Sequence, residues 1–264
     1  MNTKTKTLEQ PDFINKLPMI TVAFWIMKIT ATTLGETGGD WLSMTMKFGY
    51  LASTLIFFGL FVVALGCQLM SKKHFPYLYW TVIIATSTFG TTMSDFMDRT
   101  LGLGYAKGAA ILVAILLTLL TLWRLTVGNV SVNDVRTRKA EVFYWVTILF
   151  SNTLGTALGD FLADDSGLGF FGSWLLITGI LAVILGVSYF TKVSKILLFW
   201  IAFILTRPFG ATFGDVLTKP HDQGGVNFGT GYSSLILLGL LIVTILVYYR
   251  KKNKPTPVLA QTSV

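Results

Sequence analysis

Residues 151–160 read SNTLGTALGD, a run of small residues that ends in an aspartate inside an otherwise apolar stretch. Three more versions occur in the chain: ATTLGETGGD at 31–40, TSTFGTTMSD at 86–95 and TRPFGATFGD at 206–215. Each final aspartate follows a tryptophan by fifteen residues, and a glycine lies ten residues after each tryptophan. The tryptophans are Trp25, Trp80, Trp145 and Trp200. Four registers held this tightly indicate an internal repeat.

The composition around these segments is typical of a membrane protein. Of the 264 residues, 53% are hydrophobic and 13% are charged, and the mean hydropathy is +0.65. A soluble domain of this size is less apolar. The clearest apolar runs approach the length of about 20 residues that crosses a bilayer, and they lie at 48–70, 108–123, 174–190 and 232–249. The single cysteine, Cys67, excludes an internal disulfide and a cysteine-based zinc site.

Each repeat contains two apolar segments, of which the first holds the tryptophan, the glycines and the aspartate. Two spans return the chain to its starting side, so all four repeats have the same orientation. We therefore predict an all-α polytopic membrane protein with eight transmembrane helices in four parallel two-helix repeats. The predicted organisation is an N-terminal tail at 1–18, a first membrane half with repeats 1 and 2 at 19–130, a linker at 131–140, a second membrane half with repeats 3 and 4 at 141–249, and a C-terminal tail at 250–264.

Lysine and arginine are distributed unevenly between the two ends of the repeats. The segments on the tryptophan side carry fifteen of them, and the segments on the aspartate side carry four. By the positive-inside rule, the tryptophan side and both termini are predicted to be cytoplasmic. This asymmetry accounts for the net charge of +8, so the predicted partner is the lipid bilayer and not a nucleic acid.

One face of each first helix consists of small residues. The positions 6, 10 and 14 residues after each tryptophan share a helix face, and small residues spaced in this way let membrane helices approach closely. We expect the four first helices to pack together, with the second helices outside them against lipid. The twelve residues are Ala31, Gly35, Gly39, Thr86, Gly90, Ser94, Ser151, Gly155, Gly159, Thr206, Gly210 and Gly214.

The adjacent face carries hydroxyl groups and the carboxylate of the motif. An aspartate inside the bilayer costs about 2.5–3.5 kcal/mol, so it faces a bundle interior or water and is a functional candidate. The alternative is that each aspartate ends its helix near the outer interface and accepts hydrogen bonds from loop amides. The candidate ion-binding residues are Asp40, Asp95, Asp160, Asp215, Glu36, Thr37, Thr92 and Thr212.

Two basic residues and the four tryptophans give further expectations for the first helices. Arg207 lies deep in the fourth first-helix and is expected to pair with a carboxylate, for which Glu36 has the right depth. Lys28, three residues after Trp25, is expected to extend its ammonium to the cytoplasmic surface. The tryptophans are expected to be anchors at the membrane interface.

The fourfold pattern resembles a family of bacterial integral membrane proteins built from four tandem two-span repeats. In that family each repeat carries a tryptophan and a Gly- and Thr-rich segment that ends in aspartate. The resemblance covers the chain from about Phe24 to about Tyr249. It implies a location in the bacterial inner membrane, and it implies no activity because the function of the family is not established.

Three classes of function remain open. The first is a transporter for a small ion, either a cation such as Mg²⁺, Mn²⁺, Ca²⁺ or Na⁺ or a proton, because carboxylate and hydroxyl oxygens suit these ions; no cofactor is predicted. The second is a scaffold or regulatory membrane protein without flux, with partners at the linker or at the C-terminal tail. The third is an intramembrane aspartyl protease, for which Gly159-Asp160 and Gly214-Asp215 would supply two carboxylates that share a proton.

Overall fold

The computed structural model describes residues 17–132 and 135–252. The predicted N-terminal tail up to residue 16 and the C-terminal tail from residue 253 lie outside the described residues. Within the described ranges the chain forms eight α-helices and no strand, which confirms the predicted all-α class. The helices are α1 (Val22–Asp40), α2 (Tyr50–Met70), α3 (Pro76–Asp95), α4 (Tyr105–Val127), α5 (Arg138–Asp160), α6 (Gly169–Phe190), α7 (Lys195–Thr218) and α8 (Thr230–Lys252).

Six of these helices are long and apolar enough to cross a membrane: α2, α4, α5, α6, α7 and α8. The most apolar windows of α2, α4, α6 and α8 are between 11% and 22% buried, whereas that of α5 is 67% buried. The other two helices are less apolar, because α1 carries Lys28, Glu36 and Asp40 and α3 carries five threonines and two serines. Several apolar helices with exposed apolar surfaces indicate contact with a lipid bilayer.

The four helices α1, α3, α5 and α7 form a closed ring, which we call the inner ring. Within it α1 packs against α3 and α7, and α5 packs against the same two helices. The outer helices do not pack chiefly on the inner helix that precedes them in the chain. Instead α2 packs on α3, α4 on α5 and α6 on α7, and α8 completes the circle on α1.

A glycine lies at each of the four contacts in the inner ring. These are the glycines ten residues after each tryptophan, and a Cβ atom at any of them would lie less than 3 Å from the neighbouring helix. Such a short distance leaves no room for a methyl group, so the ring closes only where this position is glycine. The contacts are Gly35 with Ser87, Gly90 with Asn152, Gly155 with Arg207, and Gly210 with Thr32.

Three of the other predicted packing residues lie on the same contacts one turn further along. A Cβ at Gly39 would meet Thr91, one at Gly159 would meet Ala211, and one at Gly214 would meet Glu36. At the equivalent position in α3, Ser94 instead donates a hydrogen bond of 3.3 Å to Asp98, which follows the same helix. The small face therefore forms two turns of three of the four helix contacts.

The starts of the inner helices are set by local sequence. Thr21, Thr137 and Ser194 cap α1, α5 and α7 with side-chain oxygens that accept a backbone N–H of the first turn. In α3 the cap is replaced by Pro76 in the first turn, where proline is tolerated because its position needs no N–H donor.

The ends of the inner helices differ between the repeats. Asp40, Asp95 and Asp160 are each followed directly by a five-residue π-helical turn. The fourth helix, α7, has no such turn; the segment after it folds back, and the backbone N–H of Val226 donates to the carbonyl of Val216 at 2.7 Å. In the fourth repeat the segment 219–229, between α7 and α8, therefore replaces the π-helical turn.

The tryptophans are mostly buried, and the expectation that they anchor the protein at the interface is wrong for three of them. Trp80, Trp145 and Trp200 are 5% exposed or less, while Trp25 is partly buried. They pack with the aromatic residues that precede them, and the hydroxyls of Tyr79 and Tyr144 lie 2.7 Å apart. The tryptophan position lies on the same side of the helix as the small face, so these indoles turn towards neighbouring helices.

Candidate functional site

The five predicted carboxylates lie together at the end of the inner ring where its helices finish. We call Glu36, Asp40, Asp95, Asp160 and Asp215 the carboxylate cluster; each is 2–4% exposed. Oxygen atoms of Glu36, Asp160 and Asp215, from three different helices, lie within 4.8 Å of one another. Asp40, Asp95 and Asp160 end their helices, whereas α7 continues for three residues beyond Asp215. In the described residues the side chains of Asp95 and Asp215 pair with cations and not with loop amides.

Two basic side chains that sequence analysis did not select, Arg99 and Lys219, bridge the aspartates in pairs. Arg99 Nε lies 3.1 Å from Asp95 Oδ1, and Arg99 Nη2 lies 3.8 Å from Asp160 Oδ2. Lys219 Nζ lies 3.2 Å from Asp215 Oδ1 and 3.6 Å from Asp40 Oδ2. Each cation therefore links the aspartate of its own helix to that of a neighbouring inner helix.

The signal for these two cations is present in the sequence. Each lies four residues after its motif aspartate, the spacing at which helical side chains meet, and the same position holds Met44 and Asp164 in the other repeats. For Lys219, which follows the last residue of α7, burial lowers the pKa, but the carboxylates of Asp215 and Asp40 outweigh burial and raise the pKa above its ordinary value. Lys219 is therefore an ammonium at neutral pH.

Arg207 lies at the centre of the inner ring and has no exposed surface. Its Nη2 atom lies 3.0 Å from Glu36 Oε2, so the structure brings together the two residues that the depth argument paired. The guanidinium also donates to the carbonyl of Thr32, the carbonyl of Ser87, and the hydroxyls of Thr91 and Thr156. These partners lie on α1, α3 and α5, so one side chain of α7 contacts all three other inner helices.

Lys28 is also fully buried, and the expectation that it reaches the cytoplasmic surface is wrong. Its Nζ atom lies 3.4 Å from Asn152 Oδ1 and 4.2 Å from the centre of the Phe203 ring. Asn152 in turn donates to the hydroxyl of Thr86 at 2.9 Å. The side chain cannot extend past the buried aromatic residues at the start of the ring, so it stays inside.

The three predicted threonines are buried but are not the hydroxyls nearest to Glu36. Thr37, Thr92 and Thr212 donate to carbonyl oxygens of their own helices. The oxygen of Thr37 also accepts from the hydroxyl of Ser234 at 2.8 Å. The hydroxyl of Thr91 lies 3.3 Å from Glu36 Oε2, and Thr156 is the threonine at the same position of its repeat. Sequence analysis passed over this position, which comes one residue after the close-packed glycine.

The charges of the cluster do not balance. Five carboxylates face three cationic side chains, Arg99, Arg207 and Lys219, which leaves two negative charges when all are ionised. Asp160 Oδ2 is buried and forms no hydrogen bond within the described part of the chain. Buried polar atoms are almost always partnered, so this arrangement is suited to a cation held by oxygen atoms.

A sizeable apolar cavity lies away from the carboxylate cluster. It has a volume of about 560 Å³ and lies between α1, α6 and α7, with an apolar lining that includes Trp25, Leu181 and Phe199. No carboxylate lines it. The candidate site is therefore the contact between the inner helices and not this apolar cleft.

Comparison with known proteins identifies the repeats. One family described as Repeat of Unknown Function (DUF347) matches the chain four times, at 23–74, 78–129, 143–194 and 198–254. Each match begins near the start of an inner helix and continues through the outer helix that follows. Neither the curated proteins nor the solved structures give a match. The matches cover most of the sequence, and the chain therefore belongs to this DUF347 repeat family, with four copies in tandem.

Proposed function

We propose that the protein is a membrane transporter that binds a small cation in the carboxylate cluster of the inner ring. The observation that carries this proposal is the approach of Glu36, Asp160 and Asp215 oxygens to within 4.8 Å of one another in a buried position. These residues come from α1, α5 and α7, so a cation bound there contacts three helices at once. Repeat-built transporters place their sites at such contacts between repeats, where helix movements change access.

The chemistry of the ligands favours a hard cation. The cluster offers carboxylate oxygens, with threonine hydroxyls nearby, and contains no sulfur or imidazole in the described residues. Oxygen-only sites of this kind suit Mg²⁺, Mn²⁺, Ca²⁺ or Na⁺. The residual negative charge favours the addition of positive charge, and so does Asp160 Oδ2, which forms no hydrogen bond within the described residues.

The proposed membrane arrangement has eight spans with both termini in the cytoplasm of a bacterial cell. The polar helices α1 and α3 lie in the inner ring, where α8 and α2 cover them, so they can span a bilayer without being apolar themselves. Arg99 and Lys219 occur in the second and fourth repeats only. This alternation supports the proposed division into two halves of two repeats each.

The ion pairs favour a transporter over a protease. An aspartyl protease needs two carboxylates that share one proton. The two aspartates of that alternative, Asp160 and Asp215, lie 3.8 Å from Arg99 and 3.2 Å from Lys219. This favours ionised carboxylates and fits a site for a cation better than a proton-sharing dyad.

The first test is the thermal stability of the purified protein in detergent with Mn²⁺, Mg²⁺, Ca²⁺ or Na⁺. A ligand at 100 times its dissociation constant stabilises the folded state by about 2.7 kcal/mol. We expect a selective stabilisation that disappears in Asp160→Asn and persists in Asp165→Asn, a matched change at an exposed acidic residue of the next turn. Flux of the same ion into liposomes containing the protein then tests transport.

The outcomes separate the classes of function. Stabilisation of Asp160→Asn equal to that of the parent would place any cation elsewhere and reject the site. Binding without flux would favour a regulatory membrane protein that senses the ion. Absence of both binding and flux would leave the scaffold as the better explanation.

A further inference from the structure

We propose that Arg207 is a tethered cation that occupies the centre of the inner ring, and that a divalent cation binds by displacing it from Glu36. This inference rests on the proposed cation site and names both the substrate class and the element that controls entry. It follows from the contacts of the guanidinium, the number of charges around it and the local helix structure.

The guanidinium and the proposed ion compete for the same carboxylate, that of Glu36. Glu36 belongs to the group of three carboxylates, and its Oε2 atom is the one that Arg207 Nη2 contacts at 3.0 Å. The hydroxyl of Thr91 lies near the same Oε2 atom and also accepts from Arg207. A divalent cation bound to either oxygen of Glu36 would lie next to this guanidinium, and like charges at such a short distance repel each other. Binding to Glu36 is therefore favoured when the guanidinium moves away.

The remaining contacts let Arg207 move a short distance without losing all its partners. Its hydrogen bonds to the carbonyls of Thr32 and Ser87 and to the hydroxyl of Thr156 do not involve Glu36. The next residue, Pro208, lies inside α7 and removes one backbone hydrogen bond of the helix. The segment that carries the guanidinium is therefore less constrained than an uninterrupted helix.

The charge balance selects a divalent ion. Arg207 stays within the ring after it leaves Glu36, so the five carboxylates and three cations continue to leave two negative charges. One divalent ion neutralises these charges, whereas one monovalent ion leaves a buried negative charge uncompensated, which is costly in a low-dielectric interior. The oxygen ligands fit Mg²⁺, Mn²⁺ or Ca²⁺.

The test is the affinity for Mn²⁺, measured by isothermal titration calorimetry on the full chain in detergent. The forms compared are the parent, Arg207→Met, Arg207→Lys and Lys28→Met. The last is a matched control, because Lys28 is the other fully buried cation of the ring but has no contact with Glu36 among its recorded partners. We expect Arg207→Met to bind Mn²⁺ at least about tenfold more tightly than the parent, and Lys28→Met to change the affinity much less.

Several results would overturn the inference. Arg207→Met that binds Mn²⁺ no more tightly than the parent would show that the guanidinium does not compete. Equal tightening in Lys28→Met would show only a general effect of removing positive charge. Equal affinity for Na⁺ would reject the divalent class.

If Arg207→Met does not fold, Arg207→Lys decides. Its ammonium keeps the charge but loses the several donor groups of the guanidinium, so this variant should also bind Mn²⁺ more tightly than the parent. Failure of every form to bind any divalent ion would instead reject the cation site itself.

Discussion

Replacement of Gly90 by alanine tests the close packing that creates the site. An alanine Cβ at Gly90 would lie 2.9 Å from the carbonyl carbon of Asn152 and 2.9 Å from the backbone nitrogen of Thr153. Carbon atoms in contact prefer about 3.5–4.0 Å, so α3 and α5 must separate by about 0.6 Å. Both atoms belong to helix backbone, so no side-chain rotation relieves the contact.

The expected cost is that of an overpacked interior, about 1–3 kcal/mol. The matched control is Gly59→Ala on the outer helix α2, where an added Cβ meets nothing within 4 Å. There alanine should stabilise the helix by about 0.5–1 kcal/mol, because glycine loses more backbone entropy on folding. The two variants make the same chemical change and should therefore shift stability in opposite directions.

The assay is thermal unfolding of both variants in the same detergent, followed by circular dichroism or by tryptophan fluorescence. For chains of this size about 1 kcal/mol corresponds to about 2–4 °C in Tm. The separation should also lengthen the hydrogen bond from Asn152 Nδ2 to Thr86 Oγ1, which is 2.9 Å in the structure. A Gly90→Ala variant as stable as Gly59→Ala would refute the reasoning, because it would mean that the inner ring tolerates a wider contact.

Three further changes probe the buried polar groups. Lys219→Gln should lower Tm, because the positive charge that offsets two buried carboxylates is lost. The pKa of Lys219 is raised in the folded protein, so the difference in Tm between parent and variant should be constant around neutral pH and should decrease only above about pH 10.4. Tyr79→Phe removes a buried hydrogen bond and should lower the free energy of unfolding by about 0.5–1.5 kcal/mol. The control Tyr77→Phe, at an exposed tyrosine, should leave Tm unchanged, and equal shifts of Tm in the two variants would contradict this prediction. Lys28→Met should leave Tm equal or higher, because a buried ammonium is removed, whereas Arg207→Met should lower Tm, because Glu36 loses its partner. A lower Tm for Lys28→Met than for Arg207→Met would refute this difference.

The inner ring and its site could be predicted to a large extent because they depend on local spacing. Every repeat has a tryptophan, a glycine and an aspartate at the same spacing as Trp145, Gly155 and Asp160. Helical periodicity then assigns these positions to faces of the helix. The depth of Arg207 along its helix led to Glu36 as the partner, and the structure brings them together. These predictions needed only the rise and turn of a helix and the cost of buried charge.

Other features depend on which helices become neighbours, and periodicity does not specify this. The packing of α2 on α3, and of α8 on α1, follows from three-dimensional closure of the ring. The burial of Trp80 and of Lys28 depends on the same closure, because a neighbouring helix covers surfaces that face lipid or water in an isolated helix. Arg99 is a different case, because its i,i+4 relation to Asp95 is visible in the sequence and needs no knowledge of neighbouring helices.

The cyclic order of the helices has a consequence for biosynthesis. The helix α1 packs against α3 and also against α7 and α8, and the last two are made long after α1 has left the ribosome. Glu36 and its partner Arg207 are separated by 171 residues. The nascent chain must therefore hold the carboxylate of Glu36 without its native partner until α7 has been made. A chain interrupted before α7 leaves this charge uncompensated, so the closure of the inner ring depends on its last helix.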